Sequence, residues 1–400
     1  MRIAGIIAEY NPLHNGHIYH MEQARAQAKA EACIVILSGN FVQRGEPACT
    51  DKLTRTEWAL KAGADIVLEL PSIYATANAE RFAIGAVRTL AATGVITDLA
   101  FGSEESDLRI LLGLSDVLTT EPPEFINKLH EYLKMGLSYP RAQYAALKSL
   151  GMPDTMTDAL AKPNNILAIE YLRAMKRYAP NMRPLPITRS DAGYHTTELT
   201  GEFSSATAIR KALLAGNGAV LSALPSFVGG PLLYDSQFPI TQDQFGPMIL
   251  SALRRLSLEE LKEIPDIGEG LENVIYRAVR SKGTLEEFYE AVKSKRYTLA
   301  RCKRIAISAL LGITASHVHE TMRSADGLYL RVLGFRQSAR PLLSYMAKNA
   351  SAPLILRNVD AESAPEIVRK NLAIDSLATD LMGYASGLSL RKDFMAPIIF

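Results

Sequence analysis

The chain has 400 residues, enough for two or three domains and a substantial core, and its 48% hydrophobic and 22% charged content is ordinary for a globular protein. A net charge of +2 argues neither for nor against nucleic acid, and any RNA binding must come from local patches. No DNA partner is expected. Cys33, Cys49 and Cys302 are odd in number and outside any C-x-x-C pattern, Glu9 and Pro12 interrupt the apolar start, and no long apolar run follows; this argues against a disulfide framework, zinc knuckle, signal peptide or membrane span and for a cytoplasmic protein.

Residues 3–8 form a continuous apolar run ending at Glu9, as expected for a parallel strand covered on both faces. Pro12 and Asn15-Gly16 then break the chain, and Ile18, Met21 and Ala24 recur at helical spacing to about Ala30. His14-Asn15-Gly16-His17 therefore sits where a strand turns into a helix. A helix amino terminus carries unpaired N–H groups and partial positive charge, Gly16 admits a phosphate close to the backbone, and His14 and His17 can donate to charge growing on a phosphoryl group. These two histidines are the catalytic candidates; the competing reading is a turn whose histidines only cap and pack. A zinc site from His14, His17 and His20 is not expected, because no Cys, Asp or Glu lies at a matching spacing and His14 precedes the helix.

Further on, Ala32 to Leu37 predict a second strand, followed by the polar, glycine-rich loop Gly39 to Ala48 at the edge where open α/β sheets bind ligands. Thr50 or Asp51 caps a helix to Ala62, Ala64 to Leu70 form a third strand stopped by Pro71, a helix spans about Asn78 to Thr93, and Ile96 to Phe101 form a fourth strand leading into Gly102-Ser103-Glu104. Four strand-then-helix repeats predict an α/β fold, a doubly wound parallel sheet. Residues 105–160 read as mainly helical, a helix opens at Lys162-Pro163-Asn164-Asn165, and Arg183 to Arg189 form a strand whose prolines place it at the sheet edge. Ser190 to Gly201 is expected to be a loop over the site.

A second hydroxyl-rich helix start, Ser204 to Arg210, runs to about Leu214. Cleaving ATP between its α- and β-phosphates needs one cradle for the reacting phosphorus and another for pyrophosphate, and the two helix starts can supply both; alone, Ser205 reads equally well as a plain cap. From about Gln242 the pattern turns to helices with short strands such as Gly327 to Leu333, giving expected domains of 1–240 and 241–400. The second contains Lys293, Lys295, Arg296, Arg301, Lys303 and Arg304 around Tyr297, with no acid among them: a solvated face, or a tRNA-binding surface where phosphates meet the cations and a base stacks on the tyrosine.

The His-Asn-Gly-His element resembles the signature of the HIGH superfamily of nucleotidyltransferases and class I aminoacyl-tRNA synthetases, and Ser-Ala-Thr-Ala-Ile-Arg resembles its second phosphate motif. Together with Ala8 to His17, Gly39 to Ala48, Phe101 to Glu104, Lys162 to Leu167, Ser205 to Arg210 and Lys295 to Arg301, the chain is similar over nearly its whole length to the bacterial tRNA(Met) cytidine acetate ligases. Ala8 and Leu13 depart from that pattern without removing a polar group. The resemblance implies a Rossmann-like nucleotidyltransferase core and an enzyme that activates acetate with ATP as acetyl-adenylate and acetylates N4 of the wobble cytidine of elongator tRNA(Met).

The ATP site it implies is Ile7, Ala8, Glu9, Tyr10, Asn11, Pro12, Leu13, His14, Asn15, Gly16, His17, Ile18, Tyr19 and His20, with Gly102, Asn164 or Asn165, Arg189, and Ser205, Thr207 and Arg210 on the phosphates. Mg2+ would be held largely by ATP itself. No serine or cysteine carries a nucleophile signature. Two rivals are weighed: a small-molecule enzyme of the same superfamily, which would not need the basic run, and a non-catalytic RNA-binding protein, against which the intact His14 and His17 speak.

Overall fold

The computed structural model describes residues 1–188, 198–234, 238–324, 326–387, 393 and 395–400. The first apolar run forms β1 (Ile3–Ala8) and leads through a turn into α1 (Asn15–Ala28). β2 (Ala32–Ser38) is followed by a small hairpin of β3 (Phe41–Val42) and β4 (Glu46–Pro47), then α2 (Lys52–Lys61), whose N-cap Asp51 accepts from the amides of Leu53 and Thr54. β5 (Ile66–Leu70) ends at Pro71; a short α3 (Ser72–Ala75) and α4 (Ala79–Ala92), capped by Asn78, lead to β6 (Asp98–Ser103). The helices α5 (Leu108–Thr120), α6 (Pro123–Lys134), α7 (Tyr139–Ser149), α8 (Asp154–Ala159) and α9 (Pro163–Tyr178) precede β7 (Arg183–Thr188).

Along β2, Cys33, Val35 and Leu37 enter one hydrophobic cluster and Ile34 and Ile36 the other. Successive side chains point to opposite faces, so a strand covered on both must be apolar throughout, which is why it reads as an unbroken run. The strands align as β5-β2-β1-β6-β7, all parallel, with the chain moving outward from β1 in one direction and then in the other. The order reverses between β1 and β6, and a crevice opens at the carboxyl ends of the strands there. β7 lies at the sheet edge, where Pro184 and Pro186 remove no ladder donor the sheet needs.

Beyond α10 (Ala206–Leu214) and α11 (Ser226–Tyr234), a helical layer comprises α12 (Gly246–Arg255), α13 (Leu258–Lys262), α14 (Leu271–Ser281), α15 (Leu285–Val292), α16 (Leu299–Leu311) and α17 (Ala315–Arg323). The chain then returns to the sheet. β8 (Leu330–Phe335) pairs antiparallel with β5, and after α18 (Arg340–Asn349), β9 (Leu354–Ile355) and α19 (Glu366–Ser386), β10 (Ile398–Ile399) pairs parallel with β8. One sheet thus takes strands from both sides of residue 240, and the helices of 246–323 are bracketed by segments of that sheet.

Behind the hairpin lies a buried ionic network. Lys52 Nζ stands 2.6 Å from Glu69 and 2.8 Å from Asp393, Arg331 contacts the same two carboxylates at 3.4 and 3.2 Å, and Tyr329 donates to Asp375. Burial pushes the Glu69 carboxyl up to about 7, against the pull of Lys52. The network binds α2, β5, β8 and α19 together. Among the described residues no helix is long and apolar enough to cross a membrane.

Candidate active site

At the switch point the ends of β1 and β6 open into a cleft of about 370 Å3. Ile6 to Glu9 and Phe101-Gly102 supply its floor, and Phe82 of α4 with Leu167 and Tyr171 of α9 form an apolar wall. Leu167 and Tyr171, four residues apart on α9, lie on one helical face. Such a wall with a few polar groups suits a flat heterocycle whose charged tail lies elsewhere.

The opposite end is built by the turn into α1. Tyr10 has φ 45°, a conformation that bulky side chains seldom adopt, yet its ring is buried and packs edge-on to His17 with centroids 5.0 Å apart. His14 is the N-cap of α1, and its ring stacks on that of His17 at 3.7 Å. The His14 amide donates to Nδ1 of His17 at 3.3 Å; with Nδ1 accepting, the proton of a neutral His17 ring belongs on Nε2, leaving that nitrogen as donor. A Cβ at Gly16 would come within 3.0 Å of the His14 ring, so the glycine makes room for the histidine as well as for a ligand. His14, His17 and His20 all line the cleft.

Two other motifs interlock on its far side. Asn165 is fully buried, and its Oδ1 accepts from Ser103 Oγ at 2.8 Å and from the amides of Glu104 at 2.9 Å and Glu105 at 3.1 Å. Glu104 in turn accepts from the Asn165 amide at 3.1 Å and from the Asn164 side chain, capping α9 from the segment just beyond β6. Asn164 lines the cleft and Asn165 does not, so the pair divides into a cleft residue and a strut.

The second helix start also arrives here. Ser205 caps α10 by accepting from the Ala208 amide at 3.1 Å, while Arg210, one turn on, lines the cleft and donates to the Asn11 carbonyl at 2.7 Å. The two phosphate-type helix starts are therefore joined directly. Thr207 is exposed and lies outside the cleft lining.

The hairpin β3–β4 closes the remaining side with Gln43 and Arg44. Its turn is held from below: the Gln43 amide donates to Glu9 Oε1 at 2.8 Å, Lys303 Nζ meets Glu46 at 2.5 Å, and Gly45, at φ 73°, lies so close to α16 that a Cβ would sit 2.3 Å from the Arg304 nitrogen. Arg55, fully buried on α2, donates to the carbonyls of Glu9 at 2.7 Å, Ser38 at 2.9 Å and Gly39, gathering the ends of β1 and β2 beneath the cleft. Sequence reading missed Arg44, Gln43 and Arg55. The glycine-rich loop signalled the first two, whereas nothing in its helix marks Arg55.

With this geometry in place, comparison with known proteins is decisive. Residues 1–393 match the family model described as HIGH Nucleotidyl Transferase. The tRNA(Met) cytidine acetate ligase of Caldanaerobacter subterraneus subsp. tengcongensis is 40% identical over 406 residues, spanning 100% of both chains. That of Acetivibrio thermocellus is 38% identical over 395 residues, 95% of this chain and 94% of the other. The chain belongs to the tRNA(Met) cytidine acetate ligase family. It is an enzyme of the ligase type within the HIGH nucleotidyl transferases. The crystal structure of apo Thermotoga maritima TmcAL in form I aligns with a TM-score of 0.93 at 34% identity, and form II bound with alpha-thio ATP with 0.91 at 33%, each covering 100% of both chains.

In this family member the remaining motif residues fall outside the cleft lining. Leu13 is fully buried in the core, Ile18 packs against that core, Asn15 donates to the Ser222 carbonyl at 3.0 Å, Tyr19 is exposed, and neither Pro12 nor Gly16 lines the cleft. Arg189 lies outside the described residues. All three thiols are buried, and burial pushes Cys33 up to about 12 and Cys49 and Cys302 up to about 11, which makes them poor nucleophiles.

The basic run is divided by its partners. Lys303 pairs with Glu46, Arg304 with Asp266 at 3.3 Å, and Arg301 donates to the Asp266 carbonyl at 2.9 Å while its guanidinium lies 5.0 Å over the Tyr297 ring. Arg296 meets Glu269 at 2.7 Å and Lys293 meets Glu290, both exposed, while Lys295 is exposed and has no ion pair among the described residues.

Proposed function

We propose that the chain condenses acetate with ATP to give acetyl-adenylate and pyrophosphate, then transfers the acetyl group to N4 of the wobble cytidine of elongator tRNA(Met), releasing AMP and leaving N4-acetylcytidine. The observation that carries this reading is the convergence of α1 and α10 on one cleft at the sheet's switch point, with Arg210 bonded to the turn that bears His14 and His17. Acetate is a poor acyl donor until a phosphate becomes its leaving group. The residues' task is to hold acetate against the α-phosphorus and stabilise the charge that develops, and no covalent intermediate on the protein is required.

In this reading adenine lies along Phe82, Leu167 and Tyr171 with Asn164 nearby, the α-phosphate meets His14 and His17, and the β- and γ-phosphates meet the start of α10 through Arg210, with Ser205 and Thr207 assigned there by family resemblance alone. Arg189 completes the site by family resemblance alone. Mg2+ is assigned to the ATP phosphates: Glu9 is the one Asp or Glu among the described residues lining the cleft, and no group of three His, Cys, Asp or Glu among them is placed to hold a metal ion. The metal would supply charge neutralisation on the triphosphate.

The tRNA is proposed to meet the exposed part of the basic run, Lys293, Lys295 and Arg296, with Tyr297 as a stacking platform. Lys303 ties that surface to the cleft's hairpin through Glu46, and Arg301 and Arg304 tie it to Asp266 in the helical layer. A tRNA substrate implies a cytoplasmic enzyme. The deciding experiment incubates the protein with ATP, isotopically labelled acetate and tRNA(Met), then analyses nucleosides by mass spectrometry: labelled N4-acetylcytidine is expected, and its absence while pyrophosphate exchange persists would favour a small-molecule ligase.

A further inference from the structure

The family motif Gly39 to Ala48 has no role in holding ATP in the scheme above, yet its hairpin is anchored on several sides. Its hairpin turn is fixed to α16 through Gly45 and Glu46, and its Gln43 amide holds one carboxylate oxygen of Glu9. The other oxygen of Glu9 accepts from no group among the described residues, and Glu9 lines the cleft. A cleft-lining carboxylate held through one oxygen, with the second accepting no hydrogen bond among the described residues, is placed as a base can be rather than as a structural ion pair.

The transfer half-reaction needs such a group. The N4 amine of cytidine donates its lone pair into the ring and is a weak nucleophile, so it becomes strongly acidic only as it bonds to the acetyl carbon. We propose that Glu9 is the general base of acetyl transfer, its open carboxylate oxygen accepting a proton from N4 of the incoming cytidine. The N4 nitrogen attacks the acetyl carbonyl carbon, an N–C bond forms, the bond from that carbon to the phosphate oxygen breaks, AMP departs with the electron pair, and the N4 proton passes to Glu9 and then to solvent. This inference rests on the acetyl-transfer reading above and adds to it the residue that makes the second step possible.

The surroundings suit the task. Burial raises the Glu9 carboxyl above the ordinary glutamate range, against the Gln43 amide and the guanidiniums of Arg44 on the hairpin, Arg210 on α10 and Arg55 on α2. Tyr10 and His14 of the turn, His17 and His20 of α1 and Tyr171 of α9 are the other ionisable groups among the described residues lining the cleft. The histidines stand at the phosphate end, where they serve the first half-reaction. The cations favour the ionised carboxylate, and burial makes it more basic than an ordinary glutamate.

The test separates the half-reactions. In Glu9→Gln the amide oxygen still accepts from Gln43 but takes up no proton. Acetate-dependent pyrophosphate exchange measures adenylation, and single-turnover acetylation of tRNA(Met) measures transfer. Transfer is expected to fall by about 10²-fold or more, at least tenfold further than adenylation, and Glu9→Asp to recover part of it. In the parent, the single-turnover transfer rate should climb with pH through one deprotonation above the usual carboxylate range, and the glutamine variant should lose that limb. Parallel loss of both half-reactions would make Glu9 an anchor only, and a flat parent pH profile would overturn the proposal without any variant. A parent that exchanges pyrophosphate yet acetylates no tRNA would refute the acetyl-transfer reading itself, an outcome distinct from a failure of Glu9 alone.

Discussion

Two stretches hold dense clusters of candidate side chains, Tyr10 to His20 and Lys293 to Arg304, and the fold uses them in opposite ways. In the first, backbone groups and packing fix the rings: His14 stacks on His17, the Gly16 gap admits the His14 ring, and Tyr10 accepts an unfavourable φ to close the turn. What results is a wall of donors facing a cleft. In the second, much of the charge is matched from within, so cations that look like a nucleic-acid patch instead fasten α16 to its surroundings, Lys303 to Glu46 of the hairpin beside the cleft and Arg304 to Asp266 of the helical layer. A charge matched inside the fold contributes to stability, and a polar group facing a cleft is available to a ligand. Substitutions should separate the two classes.

The largest effect is expected at the most completely matched charge. Lys52 is buried between Glu69 and Asp393, and Lys52→Met would leave these two interior carboxylates with Arg331 as their one remaining ion-pair partner among the described residues, at a cost of about 3–5 kcal/mol. Denaturant unfolding measures this. A loss below about 1 kcal/mol would mean that matching inside the fold matters little for stability here.

At the cleft the opposite signature is expected. His14→Ala or His17→Ala should leave unfolding nearly unchanged while lowering acetate-dependent pyrophosphate exchange by roughly 10²-fold or more, as for loss of a group that stabilises transition-state charge. Gly16→Val should be at least as damaging, because its side chain would displace the His14 ring. Near-parent exchange in either histidine variant would return these rings to a capping role.

How much of this was legible in the chain follows from distance along it. β1, the turn and α1 are local, so apolar runs, Pro12, Asn15-Gly16 and helical spacing were enough to place them, and the sheet followed from repetition of that unit. The division of labour between Asn164 and Asn165 was hidden, because it depends on which way α9 is rotated about its axis once Glu104 caps it. Lys303 and Glu46 are 257 residues apart, and β8 joins β5 across a whole helical layer; no local pattern announces such partners. Arg55 reads as an ordinary helix cation until three strand-end carbonyls are brought around it.

A pH titration sharpens the matched class further. Glu69 is pushed up to about 7 in the folded protein, above the value an unfolded chain would give it, so the native state holds its proton more tightly. Its contribution to stability is fully present below the unfolded value and is lost as pH rises through about 7. The stability difference between the parent and Glu69→Gln should therefore shift against the parent as pH rises across that window. A difference independent of pH would show that Glu69 is ionised throughout.

The smallest effect, and the sharpest contrast, lies within the basic run itself. Lys303→Met removes a half-buried partner of Glu46 at the base of the hairpin, and should lower stability by about 1–3 kcal/mol because a partly desolvated carboxylate is left behind. Lys295→Glu, eight residues earlier and exposed, should leave both stability and pyrophosphate exchange at parent levels. Its effect should appear only with tRNA. One lost phosphate contact flattens the dependence of log binding constant on log salt by about one unit, so the variant should bind tRNA(Met) less tightly at low salt and approach the parent as salt rises. If Lys295→Glu binds tRNA with the parent's salt slope, the exposed half of the run is a solvated face, and the RNA surface lies around the cleft mouth.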